Sequence, residues 1–304
     1  MEQILREATT ELGLKCPACA SRVGSVPAAP QKAIICPNCD YPMTWADDCW
    51  DACTDKTYPR DFARQWVLWE AGKLGDPTRV YGNDPSAYFR ELLAHTCLSE
   101  KNLDSMKILE VGYGHGRLLN QLQQHCPTAY GIDLSKPLKS ANLRPGSAIF
   151  GNLLNIPFMF GQFDLVICRG VIHCTPDPEK SFACLAEQVA PRGMLYVGGL
   201  YEPGKGNLIL RKIFPRVYDY PEPIQLLMAS IFGFGRSVVE CLRTRRFNLR
   251  SIRDFYAHYK LDIFDIISPH WTAVLTENEV IMWFESRGFL ARKVGYGDYV
   301  GIRK

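Results

Sequence analysis

The chain has 304 residues, of which 47% are hydrophobic and 22% charged, with 35 basic against 32 acidic side chains. That length suits one large domain, or an ordinary domain with a small companion, and the composition excludes a mainly disordered chain. A net charge of +3 is too small to imply polyanion binding by itself. No apolar run in the sequence reaches the roughly 18–20 residues that span a bilayer. The opening Met-Glu-Gln-Ile-Leu-Arg-Glu carries acids where a secretory signal has an apolar core. The expectation is a cytoplasmic protein without a membrane partner, its twelve cysteines reduced.

Residues 1–56 hold six of those cysteines, four of them as Cys16-Pro-Ala-Cys19 and Cys36-Pro-Asn-Cys39 with sixteen residues between the pairs. Two such knuckles can present four thiolates to one tetrahedral metal, and the spacing is that of a zinc ribbon. The segment is too short to bury a core of its own, so a metal would supply its folding energy. Cys49 and Cys53, four apart, read as packing residues able to share a helix face. Residues 1–60 carry six basic and eight acidic side chains, a poor balance for gripping phosphates, so the ribbon reads as structural or docking.

Residues 57–105 turn helical, with Phe62, Trp66, Leu68 and Trp69 followed by Tyr88, Phe89, Leu92 and Leu93. From residue 106 short apolar runs alternate with amphipathic stretches, the rhythm of a parallel β-α-β sheet. The predicted strands are Lys107–Val111, Ala129–Ile132, Ser147–Phe150, Phe163–Cys168 and Met194–Gly199, and the predicted helices Arg117–Gln124, Pro137–Asn142 and Pro178–Val189. Residues 201–275 break the rhythm, and 201–260 hold eleven basic and five acidic side chains among many aromatics, Phe247 included. A helix over Thr276–Arg287 follows, with Thr276 and Glu279 as a capping box and Gly288 as stop. Phe289–Gly295 and Asp298–Arg303 then form a hairpin.

The first of the parallel strands runs into Glu110-Val-Gly-Tyr-Gly-His-Gly116. Glycines at 112, 114 and 116 let the backbone turn tightly and approach a ligand with no Cβ in the way. Asp133 ends the second strand, where an acid can take ribose hydroxyls. Gly151-Asn152 ends the third, where an amide can meet an adenine edge. Alone, the glycine pattern would serve many nucleotide folds, an NAD-binding Rossmann domain among them; the series of strand ends behind it narrows the choice.

Residues 106–200 and 276–304 resemble a class I S-adenosylmethionine-dependent methyltransferase. Glu-Val-Gly-Tyr-Gly-His-Gly matches that family's first motif, Asp133 its ribose acid, Phe163-Asp-Leu-Val-Ile-Cys-Arg-Gly-Val-Ile-His its fourth motif, and Ala-Pro-Arg-Gly-Met-Leu its fifth. Asn152 stands where Asp is usual. The resemblance implies an α/β fold with a Rossmann-like seven-stranded sheet, its last strand antiparallel, plus a small zinc ribbon over 1–56, a helical cover over 57–105 and a lid insert over 201–275. It implies S-adenosylmethionine as cofactor, held by Glu110, Gly112, Gly114, Gly116, Asp133 with its neighbour Leu134, Asn152 with its neighbour Leu153, and Arg169. The ribbon, with Cys16, Cys19, Cys36 and Cys39 on zinc, is similar to that of the tRNA-methyltransferase activator family.

For the acceptor, the aromatic, arginine-rich insert suggests a pocket for a hydrophobic or anionic small molecule, methylated on oxygen or nitrogen in a biosynthetic pathway. The alternative is an RNA base methyltransferase that docks through its ribbon, with Arg243, Arg245, Arg246 and Arg250 on phosphates. His173, just past the fourth strand, is the first candidate base. His270, in Asp265-Ile-Ile-Ser-Pro-His-Trp271, is the second, since that segment resembles an acceptor-lining element of one ribbon-bearing subgroup. Trp66 either covers the cofactor or belongs to the core.

Overall fold

A computed structural model of the chain describes residues 12–27, 32–55, 61–75, 86–202, 209–246 and 248–304. Parts of the expected ribbon (1–11, 28–31 and 56), helical cover (57–60 and 76–85) and insert (203–208 and Phe247) lie outside the described residues.

The N-terminal segment is a run of short strands, β1 (Gly13–Lys15), β2 (Arg22–Ser25), β3 (Ala33–Ile35), β4 (Pro42–Ala46) and β5 (Cys49–Asp51). Helices α1 (Asp61–Glu70), α2 (Ala87–Thr96) and α3 (Glu100–Leu103) follow. The alternating part then reads β6 (Ile108–Val111), α4 (Arg117–His125), β7 (Ala129–Asp133), β8 (Ala148–Phe150), β9 (Phe163–Arg169), α5 (Pro178–Gln188) and β10 (Val189–Gly198). The insert contributes α6 (Ile209–Ile213), α7 (Glu222–Thr244) and α8 (Leu249–Ile267), and the chain closes with α9 (Glu277–Ser286), β11 (Phe289–Gly295) and β12 (Asp298–Arg303).

The main sheet has ten strands in the order β11-β12-β10-β9-β6-β7-β8-β5-β4-β3. Seven of them, from β11 to β8, are the expected set, with β12 antiparallel to β10 and β11. Three more come from the ribbon. β5 pairs parallel with β8, Cys49 opposite Ala148 and Trp50 opposite Ile149, so the cysteine-rich segment extends the sheet instead of standing apart from it.

The central strands β6 and β9 are apolar almost throughout, as strands covered on both faces must be, and Ile108, Leu109, Val111, Leu165, Val166 and Ile167 are buried. Phe182 of α5 and Phe284 of α9 pack edge to face at 4.7 Å on one side of the sheet. Thr276 and Glu279 form the capping box that starts α9.

Two local expectations change. Cys49 lies in a strand and Cys53 in the loop after it, so they share no helix face; both are buried, and β-pairing to β8 is what takes that segment out of helical geometry. The helix expected over Pro137–Asn142 shrinks to a 3₁₀ turn at Lys139–Ala141. Left-handed Asn142 ends it after one turn, too short a run for an α-helix to form.

Candidate functional site

The carboxyl ends of β6, β7, β8 and β9 open onto a cavity of about 380 Å³, roofed by Trp66 and Gln65 of α1 and by Asp262 and Asp265 of α8. In an open α/β sheet this is the edge where ligands bind. Each strand delivers one element: β6 brings Glu110 and the glycine turn, β7 brings Asp133 and Leu134, β8 leads to Asn152 and Leu153, and β9 brings Arg169 with His173 in the turn beyond.

The turn depends on its glycines. Gly112, Gly114 and Gly116 have φ of +81°, +53° and +79°, a region that costs a side-chain-bearing residue energy. At Gly114 a Cβ would stand 2.8 Å from Trp66 Cζ2, so the indole of α1 lies directly against the loop. Gly112 and Gly114 line the cavity, while Gly116 does not; it caps α4 in the left-handed conformation. His115 between them is buried, and desolvation, followed by Arg117, lowers its pKa to about 3. Its neutral ring accepts the Arg117 amide at Nδ1, 3.1 Å away.

Glu110 is 6% exposed, and its Oε2 has no hydrogen-bond partner among the described residues. Burial first, and then the Asp133 charge, raise its pKa to about 8. A carboxyl group stranded in this way is suited to an incoming cation. Asp133 differs. Its Oδ2 accepts the Gly114 amide at 2.8 Å, and its Oδ1 accepts both the amide and hydroxyl of Ser135 at 2.7 and 2.6 Å. A carboxylate has about four lone-pair sites, so one remains, on Oδ2. Rotation of the Ser135 hydroxyl would release a second. Burial nevertheless leaves the Asp133 pKa above its ordinary value.

Asn152 uses its Oδ1 to accept the Leu154 amide at 3.0 Å, which fixes the side chain and leaves the amide nitrogen as its donor. Arg169 lines the cavity but is also anchored, to Glu91 at 2.8 Å and Tyr196 Oη at 3.1 Å, with its guanidinium 4.4 Å from the Tyr88 ring centroid. His173 is 2% exposed, in the 3₁₀ turn Ile172–Cys174, with its ring 4.2 Å from that of Tyr201. His270 does not line the cavity. Arg211 donates to the carbonyls of Ile266, Pro269 and His270. That clamp holds the turn so that the His270 ring packs on Tyr218 at 4.8 Å, and the neighbouring Trp271 reaches the cavity instead.

Sequence reasoning missed Gln65, Tyr88 and Asp262 as lining residues. Gln65 is 0% exposed, and neither its Oε1 nor its Nε2 has a partner among the described residues. The sequence did carry a signal: Phe62, Gln65, Trp66 and Trp69 fall at i, i+3, i+4 and i+7, so the glutamine occupies an apolar-face position. Asp262 and Asp265 likewise interrupt the apolar end of α8 at i, i+3 spacing.

At the far end of the sheet the four paired cysteines converge, all four sulfurs within 4.8 Å of one another. Cys16 and Cys39 are 3.6 Å apart, as are Cys19 and Cys36. A tetrahedral ion with bonds of about 2.3 Å to sulfur spaces its ligands by about 3.8 Å, so the set fits zinc. Hydrogen bonds from Ser21 and Asn38 hold the Cys19 thiol down, to about 5, while burial raises that of Cys16 and the neighbouring thiols push Cys39 up, to about 12; the convergence of the four sulfurs, and not their acidity, is what fits a metal. A second trio, Glu91, His95 and Asp298, also clusters, but the Arg169 guanidinium already neutralises its acids at 2.8 and 4.0 Å.

Residues 83–198 match the family described as a methyltransferase domain. A ubiquinone biosynthesis O-methyltransferase of Thiobacillus denitrificans is 29% identical over 164 residues, 47% of this chain and 71% of the relative. Its namesake from Escherichia fergusonii is 30% identical over 111 residues, 34% of this chain and 46% of the relative, so the chain spans less than half of that second protein. Among solved structures, magnesium protoporphyrin IX methyltransferase of Synechocystis, with bound SAH, aligns over 82% of this chain and all of its own, at 15% identity and a TM-score of 0.47.

Proposed function

We propose that this chain is a class I S-adenosylmethionine-dependent methyltransferase that methylates an oxygen or nitrogen of a small-molecule acceptor; its match to a methyltransferase domain over residues 83–198 supports that reading. The observation that carries the cofactor half is Glu110: a buried carboxyl whose Oε2 has no partner among the described residues, two residues before Gly112, in this cavity. It is suited to the ammonium group of the cofactor's methionine end. The Gly112 and Gly114 backbones border the sulfonium chain, Asp133 takes a ribose hydroxyl on its remaining lone pair, and Asn152 donates to the adenine edge, with Leu134 and Leu153 flanking. When bound, S-adenosylmethionine supplies a methyl group already activated on a sulfonium.

What the chain itself must do is position the acceptor and, where that acceptor is a hydroxyl, remove its proton. His173, buried against Tyr201 at the cavity wall, would take that proton. The acceptor would lie among Tyr88, Tyr201 and Trp271, beneath α1 and α8. The names of the relatives, O-methyltransferases of ubiquinone biosynthesis, favour an oxygen acceptor. Four cysteines on zinc would fix the ribbon to the edge of the sheet.

Calorimetry with S-adenosylhomocysteine, followed by incubation with labelled S-adenosylmethionine and separate panels of phenols, amines and RNA, tests this reading. Transfer to a phenol or amine supports it. Transfer to RNA, with an affinity that falls steeply as salt rises, would replace it by the nucleic-acid reading, and absence of cofactor binding would end both.

A further inference from the structure

Helix α7 is built inside out. Its buried side is small, with Ala229, Gly233, Ser237 and Cys241 at four-residue spacing. At Gly233 a Cβ would stand 2.9 Å from the Lys260 backbone, so α7 and α8 are in near backbone contact. Its outer side carries the large apolar residues: Ile224, Leu227, Ile231, Phe234, Val239 and Leu242, each between 45% and 63% exposed. At 100° per residue these six fall within one arc of about 140°. From Ile224 to Leu242 the stripe runs about 27 Å at 1.5 Å per residue. A soluble helix normally faces such a stripe to the core, and an exposed apolar surface of that length marks an interaction site.

Charge identifies the partner. Between Leu242 and Arg253 the sequence places five arginines and no acid; Arg243 pairs back to Glu240 at 2.6 Å, so the other four carry the net charge of the cluster. Arg243, Arg245, Arg246, Arg250 and Arg253 are all exposed, at the turn where α7 meets α8, beside Leu249 at 87% exposure. An apolar helical stripe ending in a basic cluster is the pattern of a helix that lies in a membrane interface and binds anionic headgroups. By length and composition α7 is also apolar enough to cross a bilayer, with 28% of its most apolar window buried. Yet it is tied along its side to α8, by Arg236 to Asp262 at 2.7 Å. α8 carries Arg250, Arg253, Asp254, Lys260 and Asp262, too many charges to enter hydrocarbon with it.

We infer that the outer face of α7, with the arginine cluster at its C-terminal end, docks the enzyme on an anionic membrane surface, α7 lying in the plane of the interface. Asp262 both lines the cavity and anchors Arg236 of α7, so docking face and cavity share one helical hairpin. The inference goes beyond the proposed reaction and stands independently of which acceptor is used.

The test is co-sedimentation of the full chain with vesicles of phosphatidylglycerol and phosphatidylcholine in equal parts, against phosphatidylcholine alone, with light scattering of the lipid-free protein. Strong binding to the anionic vesicles, weakened by salt, is expected. Reversing Arg245→Glu and Arg246→Glu should lower it about thirtyfold or more, at roughly fivefold per arginine removed. The triple change Leu227→Gln, Ile231→Gln, Leu242→Gln should abolish it. Leu290→Gln, at an exposed leucine of β11, should leave it intact. All these side chains point outward, and circular dichroism with S-adenosylhomocysteine calorimetry reports whether each variant is folded, which separates failure of docking from failure of the cofactor reading. Equal binding to both vesicles, binding to neither, or a lipid-free dimer that the triple change dissociates would each overturn the inference.

Discussion

The cysteine ribbon and the cavity sit on one sheet and are finished in opposite ways. In the ribbon the four reactive groups face one another, with sulfurs 3.6 Å apart in two pairs. In the cavity some polar groups are tied to the protein, as Asp133 and Arg169 are, but two are left open: Glu110 Oε2 and both amide atoms of Gln65 are buried without a hydrogen bond among the described residues. A buried polar group left open destabilises the free protein. The contrast separates groups that serve the fold, which are closed on each other, from groups that serve a ligand, which are left open at a cost to stability.

The largest effect should come from opening the closed site. Cys16→Ser removes one of the four thiols proposed to hold zinc, and structural zinc contributes on the order of 10 kcal/mol to the folding of such small units. Metal analysis should fall by about one equivalent per chain. The ribbon joins the sheet through β5 on β8 and through Gly13 and Lys15 on residues 157–162, while the strands from β8 to β11 hold the cavity themselves, so they should survive and still bind S-adenosylhomocysteine in calorimetry. Loss of that binding along with the metal would show that the two regions are not separable.

Next in size is His173→Ala. A general base accounts for about 10²–10⁴-fold in rate, so turnover of a hydroxyl acceptor should drop within that range while cofactor affinity holds. An unchanged rate would mean that His173 only packs against Tyr201. Smaller again is Gly114→Ala. It combines a φ of +53° with a contact to Trp66, strain of about 1–3 kcal/mol, which should weaken S-adenosylhomocysteine binding by roughly tenfold to a hundredfold. Adding Trp66→Ala removes the contact but not the backbone strain, so it should restore only part of the loss.

Glu110 gives a prediction with a sign. Its pKa is raised from 4.5 to about 8. Between those values the folded chain holds a proton that the unfolded chain has released, so stability falls as pH rises through that window and levels off above it. A bound ammonium group favours the carboxylate. Cofactor affinity should therefore climb from about pH 6 to 8, by at most about tenfold per unit, then decline at higher pH as the ligand's α-ammonium group deprotonates. Calorimetry across that range should show the climb in the parent chain and lose it in Glu110→Gln.

How much of this was legible differed by the range of the forces involved. The glycine turn, the strand ends, the capping box at Thr276 and the paired cysteines are local patterns in which residue type fixes backbone geometry, and they stand where the sequence put them. The attachment of β5 to β8 was not legible, because pairing between distant strands leaves no mark on either segment beyond a short apolar run. His270 failed to reach the cavity through a contact with Arg211, 59 residues away in sequence. The outward apolar face of α7 was not legible either, because an apolar stripe in a helix does not say which side is covered.

Gln65 puts the comparison to its smallest and most direct test. If its amide is open for a ligand and not for the fold, Gln65→Leu should stabilise the free protein, because it replaces two unsatisfied buried polar atoms by an apolar side chain of similar length. The gain should be about 1–3 kcal/mol, read as a raised midpoint in thermal or urea unfolding. The same change should weaken whichever ligand the amide meets. A raised KM for the acceptor with S-adenosylhomocysteine affinity unmoved places Gln65 on the acceptor side of the cavity, and the reverse places it on the cofactor. A variant that is less stable and catalytically normal would mean that Gln65 belongs with the closed groups, and the division between ribbon and cavity would then have to be redrawn at α1.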